Sequence, residues 1–123
     1  MIAADTSSVR RYFDGKVGFD VSRVARAFQD DVLIVAPVVI AELLSDPALP
    51  LHYADPISQM RMLELRRGYW WRAGELGANT LREGYKAKLA DVLIAQSCID
   101  HDVPLITYDA DFRHFTRAGL LLA

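Results

Sequence analysis

The sequence predicts an α/β domain, with a parallel sheet covered by helices on both faces. Two observations carry that expectation. Short apolar runs (MIAAD, VLIVA, PLITYD) alternate with segments of helical apolar spacing, and no hairpin-type turn joins one run to the next. The length of 123 residues sets the size of one ordinary domain, and 52% hydrophobic against 24% charged residues gives enough apolar material to offset the entropy of ordering it. No internal repeat, low-complexity segment or linker divides the chain, so a single domain over residues 1–123 is expected.

The opening run reads as a strand stopped by an acid, Asp5. Thr6-Ser7-Ser8 follows, and these are good helix-capping residues. A helix therefore begins there, with Val9, Tyr12 and Phe13 on one face and Gly15 at its end. A second helix is expected over Val21 to Gln29, with Val21, Val24, Ala25 and Phe28 inward. In the run from Val32 to Leu44, Pro37 cannot donate in a central strand but suits the first turn of a helix, which splits the run into strand 32–36 and helix 37–44. The stretch from Asp46-Pro47 to Pro50 breaks the chain, and Asp55-Pro56 starts a helix with Ile57, Met60, Leu63 and Leu65 as its apolar residues. Gly68, Gly74 and Gly77 leave the boundaries between 66 and 84 open. A helix from Leu89 to Asp100, the buried strand PLITYD, a short helix near Phe112 to Phe115 and a final strand Leu120 to Leu122 complete the reading.

Several classes are disfavoured at once. The first residues carry no basic leader before a long apolar segment, and no stretch approaches the roughly 18 apolar residues of a membrane span, so a cytoplasmic location is expected. The single cysteine, Cys98, allows no disulfide within the chain, and His52, His101 and His114 are too scattered for zinc-site spacing. Cys98 lies in an apolar helical run and reads as core packing. The net charge of −2 hides a basic and aromatic segment between 61 and 88, where Arg61, Arg66, Arg67, Arg72, Arg82, Lys86 and Lys88 are interleaved with Tyr69, Trp70, Trp71 and Tyr85. That segment could face a polyanion. The alternative is an amphipathic helical hairpin with its aromatics in the core and its charges in solvent.

The acids are the informative residues. Asp5 ends the first strand, Glu42 follows the second by a helical turn, Asp91 opens the helix before PLITYD, and Asp109 ends that strand with Asp111 two residues on. Each has a purely structural explanation: a helix cap for Asp5, an exposed helix position for Glu42, a favourable dipole for Asp91, a turn for Asp109 and Asp111. Those explanations must hold independently at four element ends that a parallel α/β sheet brings to one edge. Convergence explains them together. Clustered ionised carboxylates repel one another, and a divalent cation relieves the repulsion. Oxygen ligands without Cys or His suit Mg²⁺, or Mn²⁺, rather than zinc.

Three segments then resemble a known family, the PIN-domain ribonucleases, and within it the VapC-type toxins of toxin–antitoxin pairs. They are the strand ending in Asp5-Thr6-Ser7, the segment PVVIAELL carrying Glu42, and KLADVLIAQSCIDHDVPLITYDADF carrying Asp91, Asp109 and Asp111. The resemblance implies a three-layer α/β/α sandwich around a parallel sheet and a metal-dependent endoribonuclease that leaves a 5′-phosphate and a 3′-hydroxyl. It implies that Asp5, Glu42, Asp91 and Asp109 are catalytic, that Asp5, Asp91 and Asp109 hold the metal, and that Ser7 and Thr107 support them. Asp111 stands as the alternative fourth acid. A homodimer, an RNA substrate and a small inhibitory antitoxin are the implied partners. Arg10 and Arg11 depart from the apolar continuation usual in the family and, with Arg82, Lys86 and Lys88, are candidates for nucleic-acid contact. The Pro-rich stretch SDPALPLHYADP after the Glu42 helix is a second departure.

Two other classes are weaker. A non-catalytic PIN-like module that binds RNA or protein has no evident use for clustered acids, which repel phosphates unless a metal is present. A phosphoryl-transfer receiver lacks its acceptor, since Asp55 precedes a proline, and lacks a Lys anywhere after Lys88.

Overall fold

A computed structural model describes residues 1–123. Three short parallel strands, β1 (Ile2–Ala4), β2 (Leu33–Ile34) and β3 (Leu105–Ile106), form a sheet in the order β2-β1-β3. Ile2 and Ala3 pair with Leu33 and Ile34 on one side, while Ala3 and Ala4 pair with Leu105 and Ile106 on the other. Ala3 and Ala4 are fully buried. Their small side chains let helices approach the centre of the sheet closely, which suits the strand shared by both halves of the fold.

Six α-helices cover this sheet: α1 (Thr6–Phe13), α2 (Phe19–Gln29), α3 (Pro37–Leu44), α4 (Ala54–Ser58), α5 (Tyr69–Arg82) and α6 (Leu89–His101). Two 3-10 segments, Leu51–Tyr53 and Ala110–Ala118, fill the connections. Strands alternating with helices around a parallel sheet give the expected α/β/α sandwich. Pro37 sits in the first turn of α3, as its missing donor requires. α6 buries Val92, Ile94, Ala95 and Cys98, and packs against α5 and α3. Burial, and then the charge of Asp5, push the Cys98 thiol up to about 12, so it is an inert packing residue.

Several boundaries differ from expectation. α2 starts at Phe19 and turns Val24 and Ala27 fully inward, leaving Val21, Ala25 and Phe28 half-buried. α4 stops at Ser58, so Met60 and Leu63 are not helical. Met60 closes a turn, donating to the Ile57 carbonyl at 3.1 Å, while the next residues pair with Val35 just beyond β2: Val35 donates to the Arg61 carbonyl at 3.0 Å and Leu63 donates to the Val35 carbonyl at 2.8 Å. An open strand edge needs such partners. The final strand is reduced to a bridge between Leu105 and Leu122.

The segment after Leu65 forms one 14-residue helix that runs through Gly74 and Gly77. Each glycine costs about 1 kcal/mol of helix propensity, which the packing of α5 on α6 overrides. The hairpin reading holds for Tyr69, which is buried and donates its hydroxyl to the Leu93 carbonyl at 2.7 Å. It fails for Trp70 and Trp71, which are exposed. Arg72 reaches across to Asp100 on α6 at 2.5 Å.

Candidate active site

In an open parallel sheet the crevice forms where chain connections leave a strand toward opposite sides. Here that strand is β1, with β2 on one flank and β3 on the other, and Asp5 is the next residue beyond it. Asp5 is 3% exposed. Its Oδ1 accepts the Ser8 amide at 2.9 Å, which makes it the N-cap of α1 in place of Thr6 or Ser7. A cap alone needs no more than this, yet Asp5 also accepts the Thr107 hydroxyl on Oδ2 at 2.6 Å and the Ser7 hydroxyl at 3.1 Å. Burial raises the Asp5 pKa despite these hydrogen bonds, each of which favours the ionised form.

Thr107 links the two sides of the crevice. It follows β3 directly, donates to Asp5 and accepts the Asp109 amide at 2.9 Å. Asp109 in turn caps the second 3-10 segment, accepting the Asp111 amide at 2.8 Å. Glu42 comes from α3, where its half-buried carboxylate accepts the Thr6 hydroxyl at 2.5 Å. The sequence marks Thr6 only as a capping residue, since nothing local ties it to an acid 36 positions away.

Asp91 stands in the first turn of α6 and is half-buried. Its pKa is pushed up to about 6, first by burial, then by the charges of Asp109 and Glu42; Lys88 opposes them and Asp5 adds to them. Acids from α3, α6 and the ends of β1 and β3 therefore share one electrostatic neighbourhood. Asp109, rather than Asp111, is the acid of the last segment that acts on Asp91. Asp111 lines a different hollow with Tyr85, Arg113 and His114.

The donor set consists of carboxylates and hydroxyls with no nitrogen or sulfur ligand, which fits a hard divalent cation. The acids stand as repelling neighbours, and no three His, Cys, Asp or Glu side chains close into a chelate.

The candidate cations divide. Arg10 is engaged by Asp14 at 3.1 Å and by Asp46 at 2.7 Å. Arg11 is engaged by Asp20 at 3.1 Å and lies over the Tyr108 ring. Arg82 donates to Asn79 on its own helix. Lys86 and Lys88 are exposed on the loop entering α6, and Lys88 is the cation that acts on Asp91. Sequence reasoning missed Asp20, a 2% exposed acid that accepts from Ser8 at 2.8 Å. Its place at the start of a helix gives it the look of an ordinary dipole-stabilised acid.

No helix is long and apolar enough to cross a membrane. The PIN domain family matches residues 2–118. Among solved structures, that of FitAB bound to an IR36 DNA fragment is similar at a TM-score of 0.78 and 17% identity, covering 100% of this chain and 94% of that one. FitAcB from Neisseria gonorrhoeae is similar at 0.73 and 17% identity, over 99% and 96% of the two chains. VapBC2 from Rickettsia felis, bound to a DNA fragment from their promoter, is similar at 0.70 and 18% identity, over 100% and 98%. No curated protein matches.

Proposed function

Because the chain belongs to the PIN-domain family, we propose that it is a divalent-metal-dependent endoribonuclease acting as the toxin of a toxin–antitoxin pair. The observation that carries this reading is the buried Asp5 carboxylate at the end of β1, tied through Thr107 to the backbone of Asp109; the raised pKa of half-buried Asp91, caused by burial and then by the charges of Asp109 and Glu42, agrees with it. Acids held in mutual repulsion are suited to receive a cation. On this reading Asp5, Asp91 and Asp109 hold Mg²⁺ or Mn²⁺. Such an ion would supply Lewis acidity toward a phosphoryl oxygen and a bound water of lowered pKa.

The chain's own residues supply orientation. Ser7 and Thr107 fix the Asp5 carboxylate, Thr107 also fixes the backbone of Asp109, and Thr6 holds Glu42. Glu42, whose hydrogen-bonded carboxylate faces the same crevice, is the acid we assign to managing a proton of the attacking water. Lys86 and Lys88 meet the RNA backbone, and Arg10, Arg11 and Arg82 take a smaller part because each already has a protein partner. The similar FitAB and VapBC2 structures are two-component complexes, which supports an antitoxin as partner. Homodimerisation and a cytoplasmic RNA target belong to the same reading.

Purified protein should cut cellular RNA when Mg²⁺ or Mn²⁺ is supplied, and Asp91→Asn should abolish cutting and relieve growth arrest on expression. Failure of both would sink the proposal. A second reading, a non-catalytic module that binds RNA or protein, draws on the lack of a closed chelate. Calorimetric titration with Mn²⁺ separates the two, since only the nuclease requires an ion to bind and the Asp91→Asn variant to lose it.

A further inference from the structure

Tyr108 lies between Thr107 and Asp109 and is 67% exposed. The ring is nevertheless held. The Arg11 guanidinium lies over it, 4.2 Å from the centroid. Arg11 itself donates to Asp20 at 3.1 Å and to the Val17 carbonyl at 3.1 Å. Asp20 is 2% exposed and also accepts the Ser8 hydroxyl at 2.8 Å, and Ser8 supplies the amide that caps Asp5. A continuous support thus runs from the buried start of α1, beside Asp5, out to an exposed aromatic ring beside Asp109. Adjoining that ring, a hollow of about 160 Å³ is lined by Thr107, Tyr108, Asp109, Arg113 and Leu122.

Electrostatics limits what can hold a substrate here. Clustered carboxylates repel the phosphates of a nucleic acid, so contacts close to the acids must gain affinity without relying on charge. Stacking of a base on an aromatic ring does this, is tolerant of sequence, and is worth roughly 5- to 150-fold in affinity per base. The Arg11 guanidinium covers part of the ring by a cation–π contact, and Tyr108 still keeps most of its surface exposed.

We propose that Tyr108 is a platform on which a base of single-stranded RNA stacks beside the acid cluster, with Arg11 and Asp20 as the positioning residues that hold its ring. The proposal rests on the ribonuclease reading above. Its test uses the full chain and a short single-stranded RNA of randomised sequence with a fluorescent 5′ label. Cleavage is followed with Mn²⁺, and binding by anisotropy in an Asp91→Asn background. Tyr108→Ala should raise both KM and Kd about tenfold while changing kcat far less. Tyr108→Phe and Tyr108→Trp should restore both, and the loss should persist at high salt because stacking is not screened. Asp20→Asn should raise KM less, and should add nothing in the Tyr108→Ala background.

Equal KM and Kd for the wild type and Tyr108→Ala overturn the proposal while leaving the ribonuclease reading intact, and would assign the exposed ring to a protein contact. A loss that vanishes at high salt also overturns it, because the effect would then belong to charge. Wild-type protein that neither binds nor cuts the RNA overturns both readings.

Discussion

The Thr107 hydroxyl lies 2.6 Å from Asp5 Oδ2, joining residues 102 positions apart in sequence. That hydrogen bond ties the end of β3 to the end of β1, and the same hydroxyl accepts the Asp109 amide. One side chain therefore fixes the relative positions of two of the acids. Thr107→Val keeps the shape and removes the polar partner. Ion affinity or cleavage rate is expected to fall about 10- to 100-fold, as for other losses of a group that orients a metal ligand. Manganese titration of wild type and variant checks this; equal affinities and rates would remove Thr107 from the supporting set.

Asp91 predicts how the metal-free protein responds to pH. Burial, then Asp109 and Glu42, raise its folded pKa to about 6, above the roughly 3.9 of an unfolded chain. The folded state therefore binds the proton more tightly. The resulting stability is fully present below about pH 3.9 and is lost as pH rises through about 6. Partial exposure screens the effect, leaving on the order of 1–2 kcal/mol. Asp91→Asn is expected to flatten this dependence and to raise the apo-protein's melting temperature at pH 7. Thermal melts across that window, with chelator present, provide the measurement. Saturating Mn²⁺ should reverse the wild-type trend, because the ion favours the ionised carboxylates.

These two sites also show what a one-dimensional sequence could reveal. The candidate acids Asp5, Glu42, Asp91 and Asp109 stand out in the sequence because each ends or interrupts an apolar run, and the fold class brings strand ends to one edge. Pro37 divided strand from helix for a purely local reason, its missing N–H. Thr6 and Asp20 were not legible, because their partners, Glu42 and Arg11, come into reach only through tertiary packing. The same limit applies to Met60 and Leu63. Their apolar spacing suggests a helix, but Met60 only closes a turn onto Ile57, and the backbone of Arg61 and Leu63 pairs with Val35 at the end of β2. Glycines 74 and 77 hid α5 because propensity is local and packing against α6 is not.

Near the other end of α6 from Asp91, Arg72 and Asp100 connect α5 to α6 through two hydrogen bonds, of 3.0 and 2.5 Å. Burial alone would raise the Asp100 pKa, but the hydrogen bonds from Arg72 and Gln96 outweigh it and the net shift is downward. A depressed folded pKa contributes stability above the unfolded value, lost as pH falls below about 4. Asp100→Asn should cost about 1–2 kcal/mol at pH 7 after allowance for the exposed Arg72 side. The difference from wild type should shrink in acid. Urea unfolding at pH 7 and pH 3 checks both statements, and a constant difference would remove the ion pair from the account.

Gly18 tests the support behind Tyr108 from the other end. Its backbone is extended, with φ 163° and ψ 167°, so no left-handed conformation demands glycine. Space does. A Cβ built there would lie 2.7 Å from Arg11 Nη2 and 2.9 Å from Asp20 Oδ1. Arg11 is a long side chain that can move, but its movement gives up the hydrogen bonds to Asp20 and Val17 and the contact with Tyr108. Asp20 is buried and cannot retreat into water. Gly18→Ala is therefore expected to cost about 1–3 kcal/mol, the usual range for overpacking, and to raise KM for RNA in the same direction as Tyr108→Ala. Melting temperature and KM should shift together in this variant, whereas in Tyr108→Ala, at an exposed position, KM should shift with little change in melting. A Gly18→Ala protein with wild-type stability and KM would show that Arg11 is free to leave the ring, and that Tyr108 is not held in the way its surroundings indicate.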